Sequence, residues 1–446
     1  MPNTLLAMIH AGGFDCPCGQ HHSAKLKDLV IESGALKRIP QLIQAYQKKK
    51  AFILTDTNEY AAAGAALCSI LTEASIPYSL YVFPQTHLEP DEAAVGAAVM
   101  HFDPDCDLIL GVGSGAVNDI GKILSHLTGR TYFIAATAPS MDGYASSTSS
   151  MIRNGLKVSL NSTCPDSIIA DLDVLCSAPV RLLQSGLGDM VAKYIALCEW
   201  RIAGELVGEH YCPTVAEMVM NAVNKCMKNA QGLARREPEA VRSVMEGLVV
   251  TGIAMSYVGF SRPASGMEHY FSHIWDMRGL EFSTSTDTHG IQCGIGTLLS
   301  IRVYDEIHRM TPDREKALVY ATTFDREVWN RRLREFIGAG AQAMIEAEDK
   351  EGKYDPAGHA LRLEKIIAKW NTIQGIIAET IPPYETVEAA LKAVGAPTLP
   401  SQIGLTSQEV KTTFLMTKDI RDKYIASRLL WDLGVLEETA DAALSE

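Results

Sequence analysis

Positive charge is in short supply. Forty Lys and Arg stand against 53 Asp and Glu, a formal net charge of −13, so no global positive field exists to hold nucleic acid or an anionic membrane. A small anion has to be caught by a local device. Long apolar runs are missing too. None reaches the ~18 residues of a membrane helix, because Asp, Gly or Pro breaks the longest ones. The opening MPNTLLAMIHAGGFDCPCGQHH has no basic n-region and no small-residue cleavage site before its cysteines, so it reads as mature chain and not as a signal. There is no fixed-period repeat and no low-complexity tract. Nor is there a disulfide framework. The ten cysteines are scattered, several inside apolar segments such as AALCSIL and YIALCEW, as befits thiols acting as small hydrophobes in a reducing cytoplasm.

What is present is globular. Of 446 residues, 47% are hydrophobic and 21% charged, a composition that excludes disorder over most of the length and allows two or three domains. Short apolar strands alternate with helical stretches up to about residue 175. Strands are expected at 51–55, 78–83, 107–112, 132–136 and 167–170, with helices at 59–73, 91–100 and 119–127. That alternation argues for a parallel sheet with helices on both faces. Beyond Ala178 the periodicity turns helical, at 215–232, 239–258 and 328–345. The expected division is an α/β nucleotide-binding domain over 1–177 and an all-α domain over 178–446, with Pro179 opening the first helix. Glu348–Lys353 (EDKEGK) reads as a solvated loop.

Gly111-Val112-Gly113-Ser114-Gly115 follows a strand and opens a helix near Val117. Glycines admit close approach of a phosphate, and the first N–H groups of a helix point at an anion. The same pattern also closes ordinary strand-to-helix turns; Asp119 and Lys122, one turn on, can be solvated helix residues, and for Lys122 that is the simplest reading. Asp56, at the end of an earlier strand, can accept both ribose hydroxyls, which favours NAD over NADP, or can simply cap a helix.

The second half offers metal-ligand chemistry. Asp189 sits in GLGDM; His269 and His273 in EHYFSH share a face if helical; His289 follows in THG. One carboxylate and two imidazoles suit Zn²⁺, Fe²⁺ or a neighbouring divalent ion. Each histidine alone reads equally as an ordinary core or surface group. Cys16-Pro17-Cys18-Gly19-Gln20-His21-His22 suggests either a small zinc knuckle or a solvent-facing hairpin. Its C-x-C spacing is tight for a tetrahedral site.

Together GVGSGAVNDIGK (111–122), TAPSMDGYASS (137–147), GLGDMVAKYIALCEWRIA (186–203), SRPASGMEHYFSH (261–273) and THG (288–290) resemble the iron-containing alcohol dehydrogenase superfamily, most of all its bacterial glycerol-1-phosphate dehydrogenase branch. The resemblance runs from about residue 27 to 305. It implies NAD, with NADP admitted, and one divalent metal (Zn, Fe or Ni) on the helical domain. The implied ligands are Asp189, His269 and His289, with His273 as a proton relay. Gly113, Ser114 and Gly115 would hold the pyrophosphate, with Asp119 one turn on. Thr137 and Ser140 would line the nicotinamide side, and Asp142 would face the substrate hydroxyls and the chemistry. A small phosphorylated substrate, dihydroxyacetone phosphate or sn-glycerol 1-phosphate, needs a second anion site, for which Arg262, Lys157 and Lys193 are the cations at hand. The scattered thiols, net charge and lack of long apolar runs lead to the expectation of a cytoplasmic protein with no nucleic acid and no membrane insertion, and a homo-oligomer, a homodimer in the simplest case, is expected. Two alternatives stay open: a dehydrogenase for glycerol or another unphosphorylated polyol, and a dehydroquinate synthase-type lyase. Asp at position 189, where the lyase branch supplies Glu, favours the dehydrogenase.

Overall fold

The structure, a computed structural model, describes residues 12–85, 87–154 and 156–445; the opening stretch read above as mature chain lies largely outside them. Ten strands are present among these residues: β1 Phe14–Asp15, β2 His21–His22, β3 Asp28–Glu32, β4 Ala51–Asp56, β5 Tyr78–Phe83, β6 Leu108–Gly113, β7 Thr131–Ala136, β8 Thr148–Arg153, β9 Leu156–Asn161 and β10 Ser167–Asp171. Six of them form one sheet in the order β3-β10-β7-β6-β4-β5, parallel throughout.

Burial explains the order. Every residue of β4 (AFILTD) and β6 (LILGVG) is buried, as central strands covered by helices on both faces require. β3 and β5, less continuously buried, take the edges. Leu108, Leu110, Ala51 and Ile53 pack with Leu36, Ile39, Leu67 and Leu71 in one apolar cluster. Helix α1 (Gly115–Thr128) lies close to the sheet because Gly111 and Gly121 leave room for the Tyr132 ring. A Cβ on either would meet the phenol oxygen, at 2.6 and 2.5 Å. β8 and β9 pair as a separate antiparallel hairpin, and so do β1 and β2.

The helices that follow are α2 Val180–Val191, α3 Lys193–Val207, α4 Pro213–Ala234, α5 Pro238–Val258, α6 Met267–Phe282 and α7 His289–Arg309, with shorter ones to Leu444. The chain divides into two compact units, but not at residue 177. The first runs to Met190 and takes back Glu217–Phe260; the second comprises Val191–Ala216 and Ser261–Glu446. The reason is hydrogen bonding and packing within the first unit. Arg236 donates to the Cys176 and Ala178 carbonyls, Arg242 to Ile31 O, and Ser256 Oγ to Ala145 O. α5 is the one described helix long and apolar enough to cross a membrane, and 72% of its most apolar window is buried within the protein.

Two further expectations change. The single helix at 328–345 is two, Arg326–Ile337 and Ala341–Glu351, parted at Gly338 with φ of +75°. Glu348–Lys353 is not a solvated loop: Glu348 is buried within the helix Ala341–Glu351, and buried Lys353 donates to Arg421 O at 2.8 Å.

Candidate active site

On the first unit, β6 delivers the chain into the turn before α1. A Cβ on Gly113 would lie 2.6 Å from Val117 Cβ, whereas one on Gly115 would meet nothing closer than Met141 at 3.6 Å. Ser114 occupies the N-cap without capping, since its Oγ donates to Glu59 Oε1 at 3.0 Å. The first helical bond is Asn118 N–H to Ser114 O, at 3.0 Å. The N–H groups of Gly115, Ala116 and Val117 therefore have no acceptor inside the helix, which is the arrangement that receives a phosphate. The pyrophosphate of a dinucleotide fits this cradle. Thr137 and Ser140, both buried, follow β7, and Thr137 N–H donates to Gly113 O at 3.2 Å.

Asp56 ends β4 next to β6 and caps the following helix, its Oδ1 accepting Glu59 N–H at 2.8 Å. Lys122 is fully buried, not solvated. Its ammonium donates to Gly143 O at 3.0 Å, Ser146 Oγ at 3.2 Å and Thr148 O at 2.5 Å, and pairs with Asp119 at 3.0 Å. Asp119 is buried as well. Burial raises its carboxyl above the usual range while Lys122 and, more weakly, Lys157 on β9 act against that rise.

Lys122 thus ties α1 to the turn Asp142–Ala145. Asp142 N–H in turn donates to Asp189 Oδ2 at 2.9 Å. Asp189 lies on α2 and is wholly buried, and its carboxylate lies within 4.8 Å of that of Asp142. Two acids so close, away from bulk water, suit a divalent cation.

On the second unit, α6 and α7 bring three imidazoles together. The His269 and His289 rings stand 5.0 Å apart, centre to centre, and His273 lies 6.3 and 6.1 Å from them. His269 Nδ1 is held by Glu268 at 2.8 Å and His289 Nδ1 by Ser272 Oγ at 3.1 Å. Anchoring Nδ1 in this way fixes the ring and assigns ligation to Nε2. Burial, and next the positive Lys193, hold His269 well below its ordinary value. Both effects favour the neutral ring, the form in which a histidine ligates a metal.

Sequence reasoning did not find Glu268, Ser272 or Cys293, whose Sγ lies 3.6 Å from His289 Nε2. Glu268 is signalled by the EH pair itself, and Cys293 by standing one helical turn after His289. Lys193 is not solvated: it is fully buried and donates to Ala264 O at 3.2 Å. Lys423, also unforeseen, donates to Ser261 O at 3.2 Å and Ser265 O at 2.7 Å, and its charge too acts on His269. Burial, reinforced by Arg262 and Arg421, pushes its ammonium down to about 7. Arg262 is committed elsewhere. Its Nε and Nη2 form a two-pronged pair with Glu209 at 2.7 and 2.5 Å, and Nη1 donates to Tyr424 O at 3.0 Å. The guanidinium supports the 261–266 turn through these partners.

The sequence profile of the iron-containing alcohol dehydrogenases matches residues 30–179. The chain is 27% identical to a glycerol-1-phosphate dehydrogenase, NAD(P)+, of Geobacillus thermodenitrificans over 90% of this chain and 91% of that one. It is 31% identical to the enzyme of the same name from Hyperthermus butylicus over 62% and 77%. Among solved structures, the fold matches a glycerol dehydrogenase from Schizosaccharomyces pombe, with a TM-score of 0.59 and 16% identity over 93% and 90% of the two chains. With its profile match over residues 30–179 and a relative 31% identical of which it covers 77%, the chain belongs to the iron-containing alcohol dehydrogenase family.

Proposed function

We propose that this chain is a metal-dependent, NAD(P)-linked dehydrogenase interconverting dihydroxyacetone phosphate and sn-glycerol 1-phosphate, with Asp189, His269 and His289 as its metal ligands. The observation that supports a phosphorylated substrate is a pair of lysines on the turn before α6, Lys193 donating to Ala264 O at 3.2 Å and Lys423 to Ser261 O and Ser265 O at 3.2 and 2.7 Å. The relatives named above carry the matching substrate in their names.

When bound, a divalent ion supplies Lewis acidity to the substrate's carbonyl or hydroxyl oxygen. The chain's own residues do the rest. The Gly113–Gly115 turn and the open N–H groups of α1 hold the pyrophosphate, with Asp56 at the ribose. Thr137 and Ser140 would line the nicotinamide side, where a bound cofactor would supply or accept hydride. Asp142 orients the substrate hydroxyls and His273 relays the alcohol proton. Lys193 and Lys423 bind the phosphate. Arg262 acts by fixing the turn that carries Ser261 and Ser265, the acceptors of Lys423.

The test is a substrate panel. Metal-loaded protein should oxidise NADH with dihydroxyacetone phosphate at a kcat/KM well above that for dihydroxyacetone or for glycerol in the reverse direction. His269→Ala should lose both bound metal and turnover. Equal rates on the unphosphorylated substrates would move the assignment to a polyol dehydrogenase, and full activity of the metal-free variant would sink the ligand set.

A further inference from the structure

The segment Cys16–His22 has no part in the dehydrogenase chemistry above, yet it is built with care. β1 and β2 pair Phe14 with His22 and Asp15 with His21. The turn between them is closed by Gly19 N–H to Cys16 O at 2.9 Å and Cys16 N–H to Gln20 O at 3.0 Å. Gly19 sits at φ of +87°, a conformation that a residue with a side chain rarely adopts. At the hairpin's base Gly13 has no room for a methyl group, which would lie 2.6 Å from His22 O.

This folding gathers three donors. The Cys16 and Cys18 sulfurs and a ring nitrogen of His22 lie within 4.8 Å of one another, with Cys18 Sγ 3.3 Å from His22 Nε2. The hairpin answers the objection that C-x-C is too tight a spacing: its third donor comes from the returning strand. Nor is the hairpin wholly solvent-facing, since Cys16 is buried and His22 completely so. His22 Nδ1 lies 2.9 Å from Tyr257 O. A carbonyl can only accept, so Nδ1 carries the proton and the lone pair of the neutral ring is on Nε2, the nitrogen nearest Cys18. Phe14 and Tyr257 hold the ring at 5.4 and 5.7 Å. No disulfide joins any of the ten cysteines, all of which are described.

We propose that Cys16, Cys18 and His22 bind a structural zinc ion, separate from the dehydrogenase metal. Two soft sulfurs and an imidazole whose far nitrogen is fixed by a backbone carbonyl are a zinc-type donor set. Each cysteine binds as its thiolate, so uptake of Zn²⁺ releases the thiol protons to solvent. The fourth tetrahedral corner is taken by water or a further donor.

The experiment counts metal by elemental analysis in the full-length protein loaded with zinc. Wild type should hold one more equivalent than the Cys16→Ser/Cys18→Ser double variant, which should keep NADH turnover. His269→Ala should lose the other equivalent, so failure of this site and failure of the active-site reading are separable. With Co²⁺ in place of zinc, a thiolate-to-metal charge-transfer band should survive in His269→Ala and vanish in the double variant. Should the double variant not fold, X-ray absorption of zinc-loaded His269→Ala decides: two or more sulfur neighbours at about 2.3 Å support the site, and fewer overturn it. Equal metal content in wild type and a folded double variant would also overturn it.

Discussion

Gly113 and Gly115 stand two residues apart and do different work. The methyl group of Gly113→Ala would press on Val117 at 2.6 Å, so the substitution should cost ~1–3 kcal/mol of stability as an overpacking change and weaken NADH binding with it. Gly115→Ala meets no close protein atom and should stay within about 0.5 kcal/mol of wild type, yet it places a methyl group where the pyrophosphate is to lie. Thermal melts with NADH titrations check both. Undiminished NADH affinity in Gly115→Ala would put the cofactor somewhere else. The strand-to-helix glycine turn was legible in the sequence because such turns are local. Lys122 was not, because its acceptors are the backbone carbonyls and a hydroxyl of residues 143–148, and a helix that looks half polar gives no sign of what will cover it. The pairing of Arg262 with Glu209 across 53 residues was hidden for the same reason.

Whole elements were read where burial is symmetric. β4 and β6 announce themselves as unbroken apolar runs because helices cover both faces of the sheet. β3 (DLVIE), half covered at the edge, and the β8–β9 hairpin carry weaker patterns and went unread. So did the segment around Lys423, whose importance comes from the turn it docks on. That segment has a pH signature. The Lys423 ammonium, pushed down to about 7 by burial and then by Arg262 and Arg421, loses its charge as pH rises through that value. In the free enzyme, kcat/KM for dihydroxyacetone phosphate should fall above pH 7, and that for dihydroxyacetone should not. Lys423→Met should remove this limb and lower kcat/KM roughly 10–100-fold, chiefly through KM, as loss of a charged hydrogen bond worth about 1.5–3 kcal/mol implies. A pH–rate profile without the limb in wild type would exclude Lys423 from the phosphate site. Stability has the opposite sign. Between about 7 and the ordinary lysine value the unfolded chain binds more protons at this group, so its contribution to stability rises with pH across that window.

At the scale of the molecule, the sequence texture changes near residue 177 but the packing does not. The chain passes between the two compact units at three points, after Met190, Ala216 and Phe260. A fragment ending at residue 177 would lack α5, whose Val241, Val244, Leu248 and Ile253 are all buried, and would lack the bonds from Arg236, Arg242 and Ser256. Such a fragment should be poorly soluble and show no cooperative melt, by circular dichroism and calorimetry. A cooperative transition comparable with the full chain would mean that the α/β half folds alone. Lys122 has a consequence of another kind. One ammonium joins the helix proposed to receive the pyrophosphate to the Asp142–Ala145 turn whose first N–H steadies Asp189. On the proposed assignment dinucleotide and metal would act on a common piece of backbone, and by thermodynamic reciprocity whatever factor the cofactor adds to metal retention, the metal would return to cofactor affinity.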